Sequence, residues 1–269
     1  MPNLFTITLN TAIDNVSIVE DFVVGESIKA ISSTSFPAGK GVNAARAICC
    51  QQKNVTALGF VGKWSTSFFK SMNNQFLVTD FCSVEGNTRD NFTLLNDNQE
   101  LLTHVRNEGF RITEENITTL KSNIKKRIKE GDIVILSGSI PRDAPQMIYF
   151  QLILLLKELG AKVIFDSSKI PFKLGLIAKP FAIKPNLAEF KELLDNEAIK
   201  TDEAIGYEAQ RLNDYGIELV VVSLGSDGVI IAKKGVKGYW KGNLEINTQE
   251  ILGEAVSYTH LTLPTTPYV

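Results

Sequence analysis

A stretch of the chain from residue 27 to residue 79 contains no carboxylate, and all its charges are positive. The basic side chains in it are Lys29, Lys40, Arg46, Lys53, Lys63 and Lys70. A local excess of positive charge favours an anionic ligand, such as a phosphorylated metabolite. Chance composition with solvated lysines is the alternative interpretation.

Within this stretch, a glycine-rich segment begins a predicted helix over residues 41–53. The segment Gly39-Lys40-Gly41 lets backbone approach a ligand closely, and the helix start offers unpaired amides to hydroxyl or phosphate oxygens. It is therefore a candidate binding site for such a group. The segment alone is not specific, because an ordinary helix start has the same appearance.

Two later segments could also contact phosphate. SLGSDG (223–228) follows an apolar strand and enters a predicted hairpin, so its amides are placed where α/β sheets bind ligands; a plain β-turn is the equal alternative. In KPNLAEF (184–190), Asn186 and Glu189 have capping-box spacing. The functional alternative is that Glu189 orders water around Mg²⁺ near nucleotide phosphates.

Composition excludes several classes of protein. With 28 basic and 30 acidic residues the formal net charge is −2, which argues against a dedicated nucleic-acid binder. The longest apolar run, 152–156, is too short to span a membrane, and residues 1–10 lack the positive segment of a signal peptide. Two histidines exclude a multi-histidine metal site, and three cysteines indicate reduced, buried thiols in a cytoplasmic protein.

These candidate residues must be positioned by alternating strands and helices. Strands are predicted at 4–9, 55–61, 78–83, 132–137, 161–166, 180–184 and 217–223, and helices at 41–53, 65–76, 113–129, 144–159, 186–194 and 201–215. Unbroken apolar strands between helices predict an α/β fold with a mostly parallel sheet. Thr113 is expected to cap helix 113–129 with only half a capping box, because Asn116 stands where Glu or Gln is usual.

Two polar, β-like segments, 15–36 and 88–105, interrupt the alternation. They form either a small second sheet or two long surface loops, and periodicity alone does not separate these alternatives. The C-terminal residues 257–269, rich in Thr and Pro, have the character of a non-native tail.

Seven segments occur in an order that resembles the ribokinase-like (PfkB) carbohydrate kinases, within them the 1-phosphofructokinase and tagatose-6-phosphate kinase branch. They are TLNTAID (8–14), AGKGVNAAR (38–46), TRDNFTLL (88–95), SGSIP (137–141), FDSS (165–168), KPNLAE (184–189) and SLGSDG (223–228). The resemblance implies a three-layer αβα core, a small β-sheet lid formed by 15–36 and 88–105, and the use of ATP and Mg²⁺.

The resemblance also implies roles for individual residues. The sugar phosphate would be bound by Asp14, Gly39, Lys40, Gly41, Asn43, Arg89 and Ser139, with Lys40 and Arg89 on its phosphate. The nucleotide would be bound by Lys184, Asn186, Ser223, Gly225 and Gly228, and Mg²⁺ by Glu189, through water. Asp90 departs from the branch pattern, and we expect its charge to weaken the phosphate contact of Arg89.

One family motif is missing. The GxGD segment, which supplies the general base and the anion hole, is expected near residue 256 but occurs nowhere in the 269 residues. The nearest carboxylate, Glu254, lacks the paired glycines. We therefore expect a single kinase domain over residues 1–256, truncated at its C-terminal end and inactive.

The sequence thus favours an ATP-dependent kinase that phosphorylates a ketohexose phosphate, either fructose 1-phosphate or tagatose 6-phosphate. A kinase for an unphosphorylated sugar or nucleoside, and a non-catalytic pseudokinase that binds sugar phosphate and nucleotide, are the alternatives. Exposed sheet edges in the lid favour a homodimer. No nucleic-acid or membrane partner is expected.

Overall fold

The computed structural model describes residues 2–96, 101–244 and 261–262. Its strands are β1 (Leu4–Thr8), β2 (Ala12–Ile18), β3 (Ser32–Ala38), β4 (Val55–Gly62), β5 (Leu77–Val84), β6 (Arg89–Leu95), β7 (Leu101–Arg106), β8 (Ile133–Ser137), β9 (Lys162–Asp166), β10 (Ala182–Ile183), β11 (Leu219–Ser223), β12 (Val229–Lys233), β13 (Trp240–Leu244) and β14 (Leu261–Thr262). Its helices are α1 (Lys40–Cys50), α2 (Thr66–Lys70), α3 (Glu114–Arg127), α4 (Ile148–Glu158), α5 (Lys169–Leu176), α6 (Leu187–Leu194) and α7 (Asp202–Tyr215). The predicted α/β class is confirmed.

The chain divides into two compact units. The first unit contains Met1–Thr6, Asn123–Ser139 and Pro145–Val269, and the second contains Ile7–Ser122 and Ile140–Ala144. In the first unit the strand order is β13-β12-β11-β10-β9-β8-β1, and β8 to β11 pair in parallel. β12 and β13 turn back as antiparallel strands after β11, which confirms the predicted hairpin. β14 pairs antiparallel with β13.

The second unit contains two sheets. Strand β4 lies between the end of β1 and β5, and it pairs in parallel with β5. A separate four-stranded sheet has the order β3-β2-β6-β7. This small sheet is formed by the two polar segments, so the prediction of a second sheet is confirmed and the alternative of two surface loops is wrong.

Helix α5 was absent from the prediction because its sequence contains Pro171 and Gly175. Pro171 lies in the first turn, where a helix amide has no intrahelical acceptor and proline costs little. At Gly175 a Cβ would lie 2.5 Å from the Phe165 ring, so the missing side chain permits the helix to pack on β9. Residues that usually break helices therefore fit this one.

Helix α3 begins with a more complete cap than expected. The Asn116 amide donates to Thr113 Oγ1 (3.3 Å), and the Thr113 amide donates to Asn116 Oδ1 (2.9 Å). The expectation of a half-present capping box is wrong, because the asparagine side chain also reaches the N-cap amide. The predicted helix 65–76 is shorter and ends at Lys70, since Asn74 accepts from the amides of Phe76 and Leu77 in a turn.

None of the three cysteines forms a disulfide, but they are not all buried. Cys82 is buried, Cys49 is half-buried and Cys50 is exposed at the end of α1. The expectation of three buried thiols is wrong for the adjacent pair, because neighbouring helical residues point about 100° apart. Among the described residues, none of the helices has both the length and the apolar character of a membrane span. Glu254 and most of the tail 257–269 lie outside the described residues.

Candidate active site

The small sheet of the second unit aligns several predicted site residues by strand register. Ala12 on β2 lies opposite Ala38 on β3 and Arg89 on β6, so the start of the Gly39-Lys40-Gly41 segment and Arg89 lie at the same end of the sheet. One step along the same face, Asp14 lies opposite Asn91. The register therefore brings together residues that are far apart in the sequence.

The Asp14 carboxylate is held by a neighbouring strand. Asn91 Nδ2 donates to Asp14 Oδ1 at 2.7 Å, across 77 residues of sequence. Asp14 is half-buried, whereas Asn91 is only 7% exposed. Within the described part of the chain, this is the only hydrogen bond to the Asp14 side chain that the structure contains.

Arg89 is fixed by contacts with the backbone. Its Nη2 donates to the Asn10 carbonyl at 3.2 Å. A Cβ at Gly109 would lie 2.9 Å from the Arg89 amide, so glycine is needed where that segment crosses β6. These contacts keep the guanidinium beside the loop that follows β1.

Asp90 does not share a face with Arg89. Successive residues of a strand point to opposite faces of the sheet. Asp90 Oδ1 accepts a hydrogen bond from Asn15 Nδ2 at 3.2 Å, on the face away from Asp14 and Asn91. The expected weakening of Arg89 by its neighbour stays a prediction, although the Asp90 side chain lies on the other face of the sheet and its carboxylate already accepts a hydrogen bond there.

Gly39 requires the absence of a side chain. Its φ is +127°, and a Cβ there would lie 2.9 Å from Thr8 Cγ2 and 3.5 Å from Thr11 Cα. Helix α1 follows without a side-chain cap and without an acidic residue in its first turn. Its first residues, from Lys40 through buried Gly41 to half-buried Asn43, present a helix N-terminus suited to an anion.

Two of the six basic side chains in the acid-free stretch lie against other side chains. Lys63 forms an ion pair with Glu85 at 3.0 Å and lies over the Trp64 ring. Arg46 lies over the Phe36 ring, with 5.3 Å between the guanidinium carbon and the ring centroid. The predicted anion site near Lys40 and Arg89 stays a prediction, since these contacts show only that Lys63 and Arg46 already have partners.

Ser139 belongs to the first unit, where its neighbour Gly138 fixes the local backbone. The Gly138 amide donates to the Asp166 carbonyl (2.9 Å), and its carbonyl accepts from Tyr149 Oη (2.9 Å) and Ser167 Oγ (3.0 Å). Ser139 itself is exposed. The SGSIP segment is therefore a rigid turn at the end of β8.

The glycine-rich turn after β11 is also in the first unit. Gly225 and Gly228 have φ values of +64° and +91°. A Cβ at Gly228 would lie 2.0 Å from the Gly242 carbonyl oxygen, whereas a Cβ at Gly225 would meet no atom of the described residues within 4 Å. Gly228 thus permits close packing on β13, and Gly225 leaves open space beside the turn that a ligand can fill.

The KPNLAE segment is joined to this turn. The Ser223 amide donates to the Pro185 carbonyl at 3.0 Å, and Asn186 and Ser223 form a parallel β-bridge. Helix α6 begins with a complete capping box, in which Asn186 Oδ1 accepts from the Glu189 amide (2.8 Å) and Glu189 Oε2 from the Asn186 amide (3.0 Å). Lys184 Nζ lies 3.4 Å from Asp166 Oδ2.

A groove of about 390 Å³ adjoins the turn and includes Leu187, Leu224 and Ser226 in its lining. On its wall Lys241 Nζ donates to Asp202 Oδ2 at 2.5 Å, and this hydrogen bond, together with the Asp202 charge, raises the pKa of Lys241. Neither residue was a predicted site residue. Their pairing depends on a contact between β13 and the start of α7, for which the sequence offers no local signal.

A family model described as pfkB family carbohydrate kinase matches residues 5–245. The chain belongs to this family. The resemblance drawn from the seven segments is therefore confirmed, together with the ribokinase-like fold.

The chain is similar to several phosphofructokinases. It is 32% identical over 229 residues to the 1-phosphofructokinase of Bacillus subtilis, covering 85% of this chain and 74% of that protein. A Staphylococcus aureus structure assigned as a phosphofructokinase is 30% identical, with a TM-score of 0.74, and covers 89% of this chain and 76% of its own. Escherichia coli phosphofructokinase-2 in complex with fructose-6-phosphate has a TM-score of 0.84 at 23% identity over 93% of this chain and 82% of its own, which shows the fold alone.

The residues of this PfkB chain fit a nucleotide better than they fit a metal ion alone. No three His, Cys, Asp or Glu side chains lie close enough together to hold a metal within the described ranges. Mg²⁺ is often bound by one or two carboxylates together with substrate phosphates, and Glu189 fits that role. The open space at Gly225 fits a phosphate or ribose group approaching backbone amides.

Proposed function

We propose that this chain is a ketohexose-phosphate kinase of the PfkB family, with fructose 1-phosphate as the acceptor and ATP as the phosphoryl donor. The observation that carries the proposal is the alignment of Asp14, Arg89 and the Gly39 helix start in the small sheet. The Asp14 carboxylate can accept hydrogen bonds from sugar hydroxyls. Arg89 and the helix N-terminus at Gly39 can bind a phosphate that the sugar already carries. The name of the Bacillus subtilis relative supports the same substrate.

The acceptor residues divide into two groups. Asp14 accepts hydrogen bonds from sugar hydroxyls, and Gly39, Gly41 and Asn43 place backbone and amide groups around the sugar. Lys40 and Arg89 bind the phosphate already on the sugar, because charge-assisted hydrogen bonds suit that group. The resemblance to the family also assigns Ser139, on the turn after β8, to substrate binding.

The nucleotide residues lie in the first unit. We propose that the amides of Ser223, Gly225 and Gly228, with Lys184 and Asn186, bind the phosphates of ATP. When bound, Mg²⁺ neutralises charge on those phosphates, and Glu189 is placed to order a water of its shell. Asn186 and Ser223 are already joined by a β-bridge, which holds these groups in register.

The transfer itself forms a bond between the sugar hydroxyl oxygen and the terminal phosphorus of ATP, and it breaks the bond to the leaving ADP oxygen. The hydroxyl proton must pass to a general base. No GxGD sequence occurs in the 269 residues. We therefore propose that this chain, one kinase domain over residues 1–256, binds both substrates without turning them over. General-base catalysis alone is typically worth about 10²–10⁴-fold.

Calorimetric titration of the 269-residue chain tests the binding, and a coupled assay for ADP release tests turnover. We expect binding of ATP and of fructose 1-phosphate, with tagatose 6-phosphate as the second candidate, weak binding of ribose, and no ADP release. Tighter binding of ribose would support the alternative of an unphosphorylated acceptor. Failure to bind any hexose phosphate would contradict the proposed function, and ADP release would contradict only the inactivity.

We also propose that the small sheet forms a homodimer. Phe92 and Val105 lie opposite each other on β6 and β7, and they are 47% and 49% exposed. By alternation they lie on the face away from Asn91, so a partner there leaves the acceptor residues free. Light scattering should give twice the monomer mass, and Phe92→Asp should reduce it to the monomer. A monomeric unsubstituted chain would contradict the proposal.

A further inference from the structure

Asn91 is a buried polar side chain in the small sheet, and no sequence motif assigned it a role. Its Nδ2 donates to Asp14 Oδ1 at 2.7 Å, and the residue is 7% exposed. A carboxylate only accepts hydrogen bonds, so the amide nitrogen must face Asp14. The orientation of the Asn91 amide is therefore fixed by its partner.

This orientation leaves the other end of the amide unsatisfied. Asn91 Oδ1 is buried and has no hydrogen-bond partner among the described residues. An unpaired buried acceptor destabilises a fold, and an apolar side chain of the same size avoids that cost. Packing alone therefore favours leucine at this position rather than asparagine.

The bond to Asp14 is also not needed to join the two strands. β2 and β6 are paired at seven consecutive positions, from Ala12 opposite Arg89 to Ile18 opposite Leu95. One more side-chain bond adds little to a ladder of that length. The contact is better explained by what it does to the carboxylate.

We propose that Asn91 is a positioning residue of the acceptor site. Its amide binds one oxygen of Asp14, and it thereby directs the other oxygen, which carries no hydrogen bond to a described residue, toward an acceptor hydroxyl. The unsatisfied Asn91 Oδ1 lowers the stability of the fold, and this loss accompanies the positioning of Asp14. The inference rests on the proposed function, because it assumes that Asp14 binds the sugar.

The test is the affinity for fructose 1-phosphate of Asn91→Leu, measured by calorimetry on the full chain. We expect the Kd to rise about 10-fold, because hydrogen bonds to charged groups are among the stronger ones. The affinity for ATP should be unchanged, and the melting temperature should be equal or higher. A purely structural role predicts the reverse, a lower melting temperature with an unchanged Kd.

Asn15→Leu is a matched control. Asn15 also donates its Nδ2 to a carboxylate across β2 and β6, but it does so on the opposite face, to Asp90 at 3.2 Å. We expect the Kd of Asn15→Leu for fructose 1-phosphate to stay within about 2-fold of the Kd of the unsubstituted chain. That change is smaller than the effect of about 10-fold that one hydrogen bond to a charged group can have. If Asn91→Leu does not fold, Asn91→Ser replaces it in the same measurement, because serine is smaller and keeps a hydrogen-bond donor.

A double-substitution cycle shows whether Asn91 acts through Asp14. In an Asp14→Asn background, adding Asn91→Leu should change the Kd by less than about 2-fold, because the group to be positioned is already altered. Equal Kd values for Asn91→Leu and the unsubstituted chain, or additive effects in the cycle, would overturn the inference alone. No binding by the unsubstituted chain would overturn the proposed function, and with it the inference.

Discussion

The proposed acceptor and nucleotide sides of this protein are constructed in different ways. On the acceptor side, side chains are positioned by strand register, as with Asp14 and Asn91, which are 77 residues apart. On the nucleotide side, the groups are backbone amides and a helix cap, held by short segments such as Ser223 to Gly228. Substitutions on the acceptor side should therefore change binding through the chemistry of the side chain. Substitutions on the nucleotide side should change it through the geometry of the backbone.

The largest expected effect is that of Gly228→Ala on the nucleotide side. A Cβ would lie 2.0 Å from the Gly242 carbonyl oxygen at a φ of +91°, so the turn must move away from β13. We expect a loss of about 3 kcal/mol in the free energy of unfolding, combining backbone strain with overpacking, and loss of ATP binding. Urea unfolding and ATP calorimetry measure the two effects.

Gly225→Ala is the matched control for that substitution. Its φ is +64°, but a Cβ there meets nothing within 4 Å, so only the left-handed backbone opposes it. The expected cost is about 1–2 kcal/mol. Equal losses for the two variants would show that packing against β13 does not set the geometry of the turn.

The second prediction concerns a side chain on the acceptor side. Arg89→Gln should raise the Kd for fructose 1-phosphate about 10- to 100-fold, because a charge-assisted contact to phosphate is lost. The Kd for ATP and the weak binding of unphosphorylated fructose should not change. Calorimetry with the three ligands separates these outcomes.

Arg111→Gln provides the control for a general effect of charge. Arg111 lies in the same unit and pairs at 2.6 Å with Asp143, but the contact is exposed. Its removal should leave the fructose 1-phosphate affinity unchanged. If Arg89→Gln weakened fructose and its phosphate equally, Arg89 would bind the sugar rather than the phosphate.

The same difference between the two sides explains what the sequence could predict. The helix start at Asn186, the glycine turn and most of the alternating elements depend on neighbours within a few residues, and the sequence predicted them. Asn91 was missed because its partner lies on another strand, although its position two residues after Arg89 places both on one face. The helix at Pro171 depends on the packing of Gly175 against Phe165, which periodicity does not report, whereas the exposure of Cys50 follows from the helical period itself.

The third prediction separates the two interpretations of Glu189. Glu189→Gln keeps a side chain that can complete the capping box but removes the charge. We expect unfolding free energy to change by less than about 0.5 kcal/mol, while the dependence of ATP affinity on Mg²⁺ weakens. Asn186→Ala should instead cost about 1 kcal/mol of stability.

A structural role alone gives a different pattern. If Glu189 serves only the cap, the affinity of Glu189→Gln for ATP will depend on Mg²⁺ as it does in the unsubstituted chain. Titrations with and without Mg²⁺ are sufficient to decide, since the fold is kept in both cases.

The smallest expected effect is at the ion pair beside the nucleotide turn. The hydrogen bond that Lys241 donates to Asp202 raises the pKa of Lys241 above its ordinary value of 10.5. A raised folded-state pKa means that the stabilisation is fully present below the unfolded value and is lost as the pH rises through the folded one. The difference in unfolding free energy between the unsubstituted chain and Lys241→Met should be at most about 1 kcal/mol, because the pair is partly exposed.

That difference should be constant from pH 7 to 9 and should shrink only above about pH 10.5, where the unfolded chain loses the Lys241 proton before the folded chain does. Urea unfolding at several pH values measures it. A difference that shrinks below pH 9 would show that Lys241 does not carry the effect. Because the pair joins β13 to the start of α7 beside the turn, ATP affinity should change little, which would set this side chain apart from the backbone groups that bind the nucleotide.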